Sequence, residues 1–180
     1  MKRIIVAIAS ITAVGVLTAG FAAPAWADDP SGAQTFRTTT VRRDGADPIR
    51  IVVASGVINS VGREVILGMN EGPDGSNVVD AEFVFPQGTI FLTMTFTVDF
   101  SIQGPPVCMA TTAINGTFVI TGGTGAFEGA TGSGTLSGVG RSVVPFDRSI
   151  NDCNTDVTIV NVNHRTLDGT ISIPDASAAA

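Results

Sequence analysis

The sequence of 180 residues contains no tyrosine and only one tryptophan and one histidine. Zinc sites combine several His and Cys ligands, so the single His164 argues against one, and we expect no metal and no cofactor.

A Ser-His-Asp triad would need His164 to meet Asp156 or Asp168 and an activated serine, but no nucleophile-elbow pattern surrounds any serine. We therefore expect His164 at a surface strand end, with a pocket or proton-shuttle role as the alternative.

Lysine occurs once, at Lys2, which with Arg3 precedes an apolar run from Ile4 to Phe21. The small-x-small sequence Ala25-Trp26-Ala27 follows, as at a signal-peptidase cleavage site. We therefore expect residues 1–27 to be a signal peptide and the protein to be secreted, without membrane contact after cleavage. An uncleaved membrane anchor is the alternative.

Cleavage leaves a chain with no Lys and 8 Arg against 16 acidic residues, a net charge of −8. A nucleic-acid partner is excluded by this acidity, because proteins bind the phosphate backbone through Lys and Arg. The only tryptophan is lost with the leader, and sugar-stacking surfaces usually rely on Trp or Tyr. A carbohydrate-binding role is therefore disfavoured as well.

Period-two alternation dominates the rest of the chain, and no segment shows a helical repeat. The longest example carries its apolar residues at Ile90, Leu92, Met94, Phe96, Val98 and Phe100. It predicts a long strand with one dry face, among about eight or nine strands of an antiparallel barrel or sandwich. We assign the β domain to residues 50–174, after a flexible lead-in or irregular edge at 28–49 and before a disordered tail at 175–180.

Glycines punctuate the stretch Gly116–Gly138, GTFVITGGTGAFEGATGSGTLSG. Phe118 and Ile120 alternate as in a strand, and the glycines that follow allow the positive φ of a tight turn. A second strand of small residues comes next, in which glycines mark bends or close backbone approach. A glycine hairpin of this kind suits the wall of a barrel.

The segment Ser101–Pro105, SIQGP, followed by Ile120–Gly129, ITGGTGAFEG, resembles the core of plant allene oxide cyclases. The same glycine hairpin is similar to that of dirigent proteins. This resemblance implies a calycin-like, eight-stranded antiparallel β-barrel whose interior holds a small hydrophobic molecule. It also implies a homotrimer as an expected assembly.

The catalytic residues that the resemblance implies have no match in this chain. The cyclases use a glutamate on the first strand, whereas Ile51–Asn59 contains no carboxylate. They also use a Pro-Ser-Asn cluster after the second strand, where Leu67–Asn70 offers only Asn70. The acidic and Arg side chains of dirigent-type pockets cannot be assigned either. Whether the protein is an isomerase or cyclase therefore stays open, and no catalytic residue is assigned.

Two classes of function remain. In the first, the lumen binds a small hydrophobic molecule, either passively or so as to steer its cyclisation or coupling. In the second, the barrel is a structural or interaction module filled by its own side chains. The residues expected to line a ligand site, or to block the lumen in the second case, are Met94, Phe96, Phe100 and Phe118.

Other polar residues have alternative readings. Glu64, Glu82, Asp99 and Glu128 are expected to face water, although any of them directed into the lumen would be able to act as an acid or base. One cluster of polar residues is expected to belong to an ordinary loop, with a calcium site as the alternative; it consists of Asn151, Asp152, Asn154 and Asp156.

The two cysteines of an exported chain are most simply paired, so we expect a Cys108–Cys153 disulfide. Two free, buried thiols are the alternative.

Cleavage after Ala27 is the first testable prediction. N-terminal sequencing of secreted protein should begin at Asp28, because the small residues before it fit a signal peptidase. Retention of an intact Ile4–Phe21 segment in the membrane fraction would contradict it.

Overall fold

The computed structural model describes residues 30–72 and 74–174. The expected signal peptide and the expected tail at 175–180 lie outside the described residues. Every regular element is a β-strand, and their bounds are β1 Ser31–Arg43, β2 Ile49–Gly56, β3 Ser60–Glu71, β4 Asn77–Phe85, β5 Gly88–Gln103, β6 Met109–Gly125, β7 Thr131–Val143, β8 Phe146–Asp147, β9 Asp152–Cys153 and β10 Val160–Ser172. In this part of the chain no helix is long and apolar enough to cross a membrane.

Eight of the strands form a closed barrel in the order β1-β10-β7-β6-β5-β4-β3-β2, with β2 returning to β1. All neighbouring pairs are antiparallel. The expected eight-stranded antiparallel barrel is therefore confirmed. The two short strands β8 and β9 form a separate hairpin between β7 and β10.

The expected lead-in at 28–49 is wrong, because Ser31–Arg43 forms β1 and pairs with β10 and β2. Its inward positions include Gln34 and Thr38 as well as Phe36, and all three side chains are buried. The mixture of polar and apolar inward residues hides the alternation that marks a strand. Buried amide and hydroxyl groups are tolerated inside when they find partners, and Gln34 binds three backbone carbonyls and the N–H of Ile58.

Two other strands are longer than the sequence indicates. The sequence predicts separate strands at 107–114 and in the first half of the glycine hairpin, but these form one strand, β6. It also predicts separate strands at 157–162 and 167–173, which belong largely to one strand, β10. In β10 the inward residues between the two apolar runs are polar, which interrupts the pattern.

The core fills one half of the barrel, which we call the packed half. Its largest fully buried side chains include Phe36, Phe83, Phe118, Ile90, Leu136 and Leu167. Phe36 packs with a tilted ring against Phe83 and edge-on against Phe118. Such aromatic pairs add to the stabilisation from area burial.

Inward glycines allow adjacent strands to come close where the barrel wall bends. A Cβ on Gly134 of β7 would lie 2.2 Å from the carbonyl oxygen of Asp168 and 2.7 Å from Cε1 of Phe118. A Cβ on Gly116 would lie 2.1 Å from the carbonyl oxygen of Thr95. Glycine is therefore required at both positions for the close approach of the strands, and at Gly134 it also makes room for the Phe118 ring.

Cys108 and Cys153 form the expected disulfide, with Sγ atoms 2.06 Å apart. Cys108 precedes β6 and Cys153 ends β9, and both pack against Val144. The bridge therefore fastens the β8–β9 hairpin to the barrel.

Replacing both cysteines with serine should lower the free energy of unfolding by about 4 kcal/mol, because the bridge closes a loop with a sequence separation of 45. Urea titration of the native and variant proteins measures the change. Equal stability with and without reductant would contradict the expectation.

Candidate functional site

A buried ion pair lies inside the barrel above the packed half. Arg165 on β10 donates through Nη2 to Oε2 of Glu64 on β3, at 2.5 Å. The Glu64 side chain is fully buried and that of Arg165 is 10% exposed. Because β3 and β10 are not neighbours in the barrel, the guanidinium reaches across the lumen.

Strand registers explain why both side chains point inward. Glu64 is paired with Phe83, which is fully buried, so the two share the inner face. Arg165 is paired with Thr38 on one side and Gly138 on the other. Because residues directly opposite in a sheet project to the same face, the buried Thr38 places Arg165 inside.

The glycines of β7 make room for the polar residues of β10. A Cβ on Gly138 would lie 2.7 Å from Cγ of Arg165, and a Cβ on Gly140 would lie 1.8 Å from Oδ1 of Asn163. Side chains at these two positions would displace Arg165 and Asn163. The glycine-rich stretch thus shapes the polar site as well as the barrel wall.

The ion pair leaves hydrogen-bonding capacity unused. Among the described residues, Oε1 of Glu64 and Oγ1 of Thr38 are buried and have no hydrogen-bond partner. Nη1 of the Arg165 guanidinium lies 3.8 Å from Sδ of Met94. Unpaired buried polar atoms are costly, so a hydroxyl or amine donor that reached Glu64 Oε1 would be bound favourably.

Polar side chains continue from the ion pair toward one end of the barrel. Asn163 donates to Asn161, and Asn161 donates to Ser142 on β7, both at 2.6 Å. In the neighbouring β1–β2 pair, Arg50 on β2 lies opposite Thr40 on β1 and is half-buried. We call this region, from Arg165 to the end of the barrel, the open half.

The β5 side of the open half is apolar and extends beyond the start of β4. The pairing between β4 and β5 ends where Asn77 lies opposite Phe96. Beyond that point β5 continues to Gln103, paired with β6. Val98, Phe100 and Ile102 continue the inward face of Phe96 but are 41%, 60% and 42% exposed. The open half therefore presents polar groups on one side and solvent-exposed apolar groups on the other.

The four residues expected to line a ligand site share the inner face of the barrel but not one environment. Met94, Phe96 and Phe118 belong to one buried hydrophobic cluster, in which Met94 lies directly opposite Phe118 in the β5–β6 pair. Met94 also contacts the Arg165 guanidinium through its sulfur atom. Phe100 stands apart, exposed on the extended wall.

Of the four candidate acids, only Glu64 points into the lumen. Glu82 is paired with Val65 and Phe91, on the face opposite the buried Phe83. Asp99 and Glu128 are exposed. The acid that the sequence gives no reason to single out is therefore the one inside.

His164 is exposed on the outer wall, where Nδ1 lies 3.1 Å from Oγ1 of Thr39. In the loop around β9, Asp152 and Asn154 accept backbone N–H bonds from Cys153 and Asp156, which is loop chemistry. No group of three or more His, Cys, Asp and Glu within 30–72 and 74–174 is placed to hold a metal ion.

Two exposed loop carboxyls have perturbed acidity. The Ser76 hydroxyl and N–H donate to Asp74 and lower its pKa, and Ser149 lowers the pKa of Asp147 in the same way. Both hydrogen-bond patterns are turns at the surface, so neither carboxyl belongs to the site in the lumen.

Two depressions lie outside the lumen. One, of about 430 Å³, is at the end of the packed half and is lined by Phe127, Ile173 and Pro174 among others. The second, of about 370 Å³, is on the outer wall around Leu67 and Phe91. Neither includes the ion pair.

Arg165, Thr38, Asn161 and Asn163 are the site residues that sequence reasoning missed. A signal was present in β10, because Asn161, Asn163, Arg165 and Leu167 follow each other at a spacing of two. Counting back from Leu167, which is fully buried, places all of them on the inner face. Comparison with known proteins adds nothing to this assignment: no family model, curated protein or solved structure matches the chain.

Replacing Arg165 with leucine should destabilise the barrel by about 3–5 kcal/mol, because the Glu64 carboxylate then remains buried without its partner. Replacing Glu64 with leucine as well should recover most of the loss. Urea unfolding of the two single variants and the double variant measures the coupling. Equal, additive losses would show that the two side chains do not stabilise each other.

Proposed function

We propose that the protein binds a small amphipathic molecule in the open half of the barrel. The observation that carries this proposal is the contrast between its two walls. Exposed apolar side chains on β5 face a polar surface that ends at a buried carboxylate oxygen without a hydrogen-bond partner among the described residues. Ligand sites typically combine a mainly apolar lining with a few such convergent polar groups.

The packed half sets the depth of this site. Phe36, Phe83 and Phe118 are almost fully buried there, so a ligand that enters from the open end stops above them. Met94 and the ion pair then form the floor, and Phe96 and Phe100 form the apolar wall. Phe118 lies opposite Met94 in the neighbouring strand and supports it from the same buried cluster.

The polar groups suggest how the ligand is oriented. A hydroxyl or amine on the ligand donates to Oε1 of Glu64, and Arg50 and Thr40 are placed to meet an acceptor nearer the opening. The apolar part of the ligand covers Phe100 and Val98. Covering these side chains removes apolar area from water, which favours binding.

The resemblance to dirigent proteins adds support, because it implies acidic and Arg side chains inside the pocket. Glu64 and Arg165 are such a pair, although sequence reasoning did not find them. If the ligand is reactive, Glu64 is the group placed to move a proton, since it is the buried carboxylate among the described residues. Steering of cyclisation or coupling is the catalytic form of the same proposal.

A structural module with a filled barrel is the second candidate. It is favoured by the close packing of side chains in the packed half. In that case water satisfies the free atoms of Glu64 and Thr38. The two candidates predict different results in a binding experiment.

Titration of the mature protein with an apolar fluorescent probe and with a series of phenols and oxylipin-like compounds should show saturable binding. Phe100→Ala should weaken it about tenfold, because the ligand loses a large apolar contact. Val119→Ala is the matched control, since Val119 is 52% exposed on the outer wall. Its affinity should equal that of the native protein.

Met94→Trp gives the opposite test, since the larger side chain would occupy the floor of the site. If the open half has room, the variant should stay folded and lose the probe. A loss of about 1–3 kcal/mol in stability is expected instead if the ring overpacks a filled lumen. Such a loss, with no saturable binding by the native protein, would establish the structural module.

A further inference from the structure

The upper part of β5 is an open sheet edge. β4 begins at Asn77, opposite Phe96, and β5 beyond that point is paired only with β6. Within the part of the chain that the structure describes, no backbone hydrogen bond joins Thr97–Gln103 to any other element. Alternate residues of this segment therefore turn N–H and C=O groups toward solvent, as edge strands do.

This edge carries few of the features that keep edge strands apart. Exposed edges are commonly protected by lysine, proline or a bulge. The segment Thr97–Gln103, TVDFSIQ, has no lysine and no proline, and its one charge is Asp99. The β5 bulge lies at Phe91/Leu92, in the part paired with β4 and β6. An unprotected edge with an exposed apolar face favours strand pairing.

We propose that this edge pairs with the same edge of a second copy of the chain, antiparallel and with the two-fold axis at Phe100. Phe100 then lies opposite Phe100 of the second copy, and Val98 lies opposite Ile102. Asp99 lies opposite Ser101, so no like charges face each other. The three apolar side chains, now 41–60% exposed, form one continuous ladder on the inner face.

Neighbouring registers are less favourable. A two-fold axis at Asp99 places the two aspartates opposite each other, which is destabilising. An axis at Ser101 places Thr97 and Val98 opposite Pro105 and Gly104, beyond the end of the strand. The register centred on Phe100 is the one that pairs the whole segment and separates the charges.

A cysteine crosslink tests the register directly. Opposite residues of an antiparallel pair have Cα atoms roughly 4.5–5.5 Å apart, within the range of a disulfide. Mild oxidation should therefore convert Phe100→Cys to a covalent dimer in solution. Peptide mapping should show that the Cys108–Cys153 bridge is retained.

Asp99→Cys is the matched control on the same strand. In the proposed register its own counterpart is a diagonal neighbour, roughly 7–8 Å away, so the variant should stay without an intermolecular disulfide. Equal crosslinking of the two variants would overturn the register. Failure of Phe100→Cys to crosslink would overturn the pairing.

Sedimentation of the native mature protein tests the association itself. It should show a reversible monomer–dimer equilibrium, and Phe100→Lys should be monomeric because it places two positive charges opposite each other. Val119→Lys, on the outer wall, should dimerise like the native protein. A native monomer, a trimer, or a dimer that persists in Phe100→Lys would each overturn the proposal. Neither experiment contains a ligand, so both report on association alone, whether or not the apolar wall that includes Phe100 also binds a small molecule.

Discussion

The barrel depends on β1 to close it. The strand pairs with β10 along Ser31–Arg43 and with β2 from Gln34 to Val41. Without it, two edges would be exposed in place of a continuous wall, and open edges invite pairing with other chains. β1 also brings Gln34, Phe36 and Thr38 to the inner face, where they contact or adjoin the core and the ion pair. Closure and the site thus rest on the same strand.

The Glu64–Arg165 pair lies between the packed half and the open half of the lumen. Below it, aromatic and aliphatic side chains pack tightly, and above it asparagine, serine and threonine line the wall. A buried ion pair contributes little net stability compared with a well-packed apolar core, because both charges lose hydration. Net stability is therefore a weak explanation for the pair, and the ligand binding proposed above would give its free carboxylate oxygen a role.

Much of the barrel was predictable, because strands such as β4 and β5 have an inner face that is apolar at nearly every position. β1 and the middle of β10 were not recognised, since their inward residues include Thr38, Asn163 and Arg165, which break the apolar pattern. The orientation of Glu64 could not be decided from β3 alone, because Val61, Val65 and Leu67 on its other face are also apolar. Only the pairing of Glu64 with Phe83 settles which face is inside.

The described chain enters and leaves the barrel at one end, where the Ile173 N–H donates to the carbonyl oxygen of Pro30 at 3.1 Å. That end belongs to the packed half, and the open half lies at the opposite end. A tag, a surface linker or a fused domain attached beyond either residue would therefore project away from the polar site. The barrel can be immobilised by either of these ends with its opening still directed toward the solution.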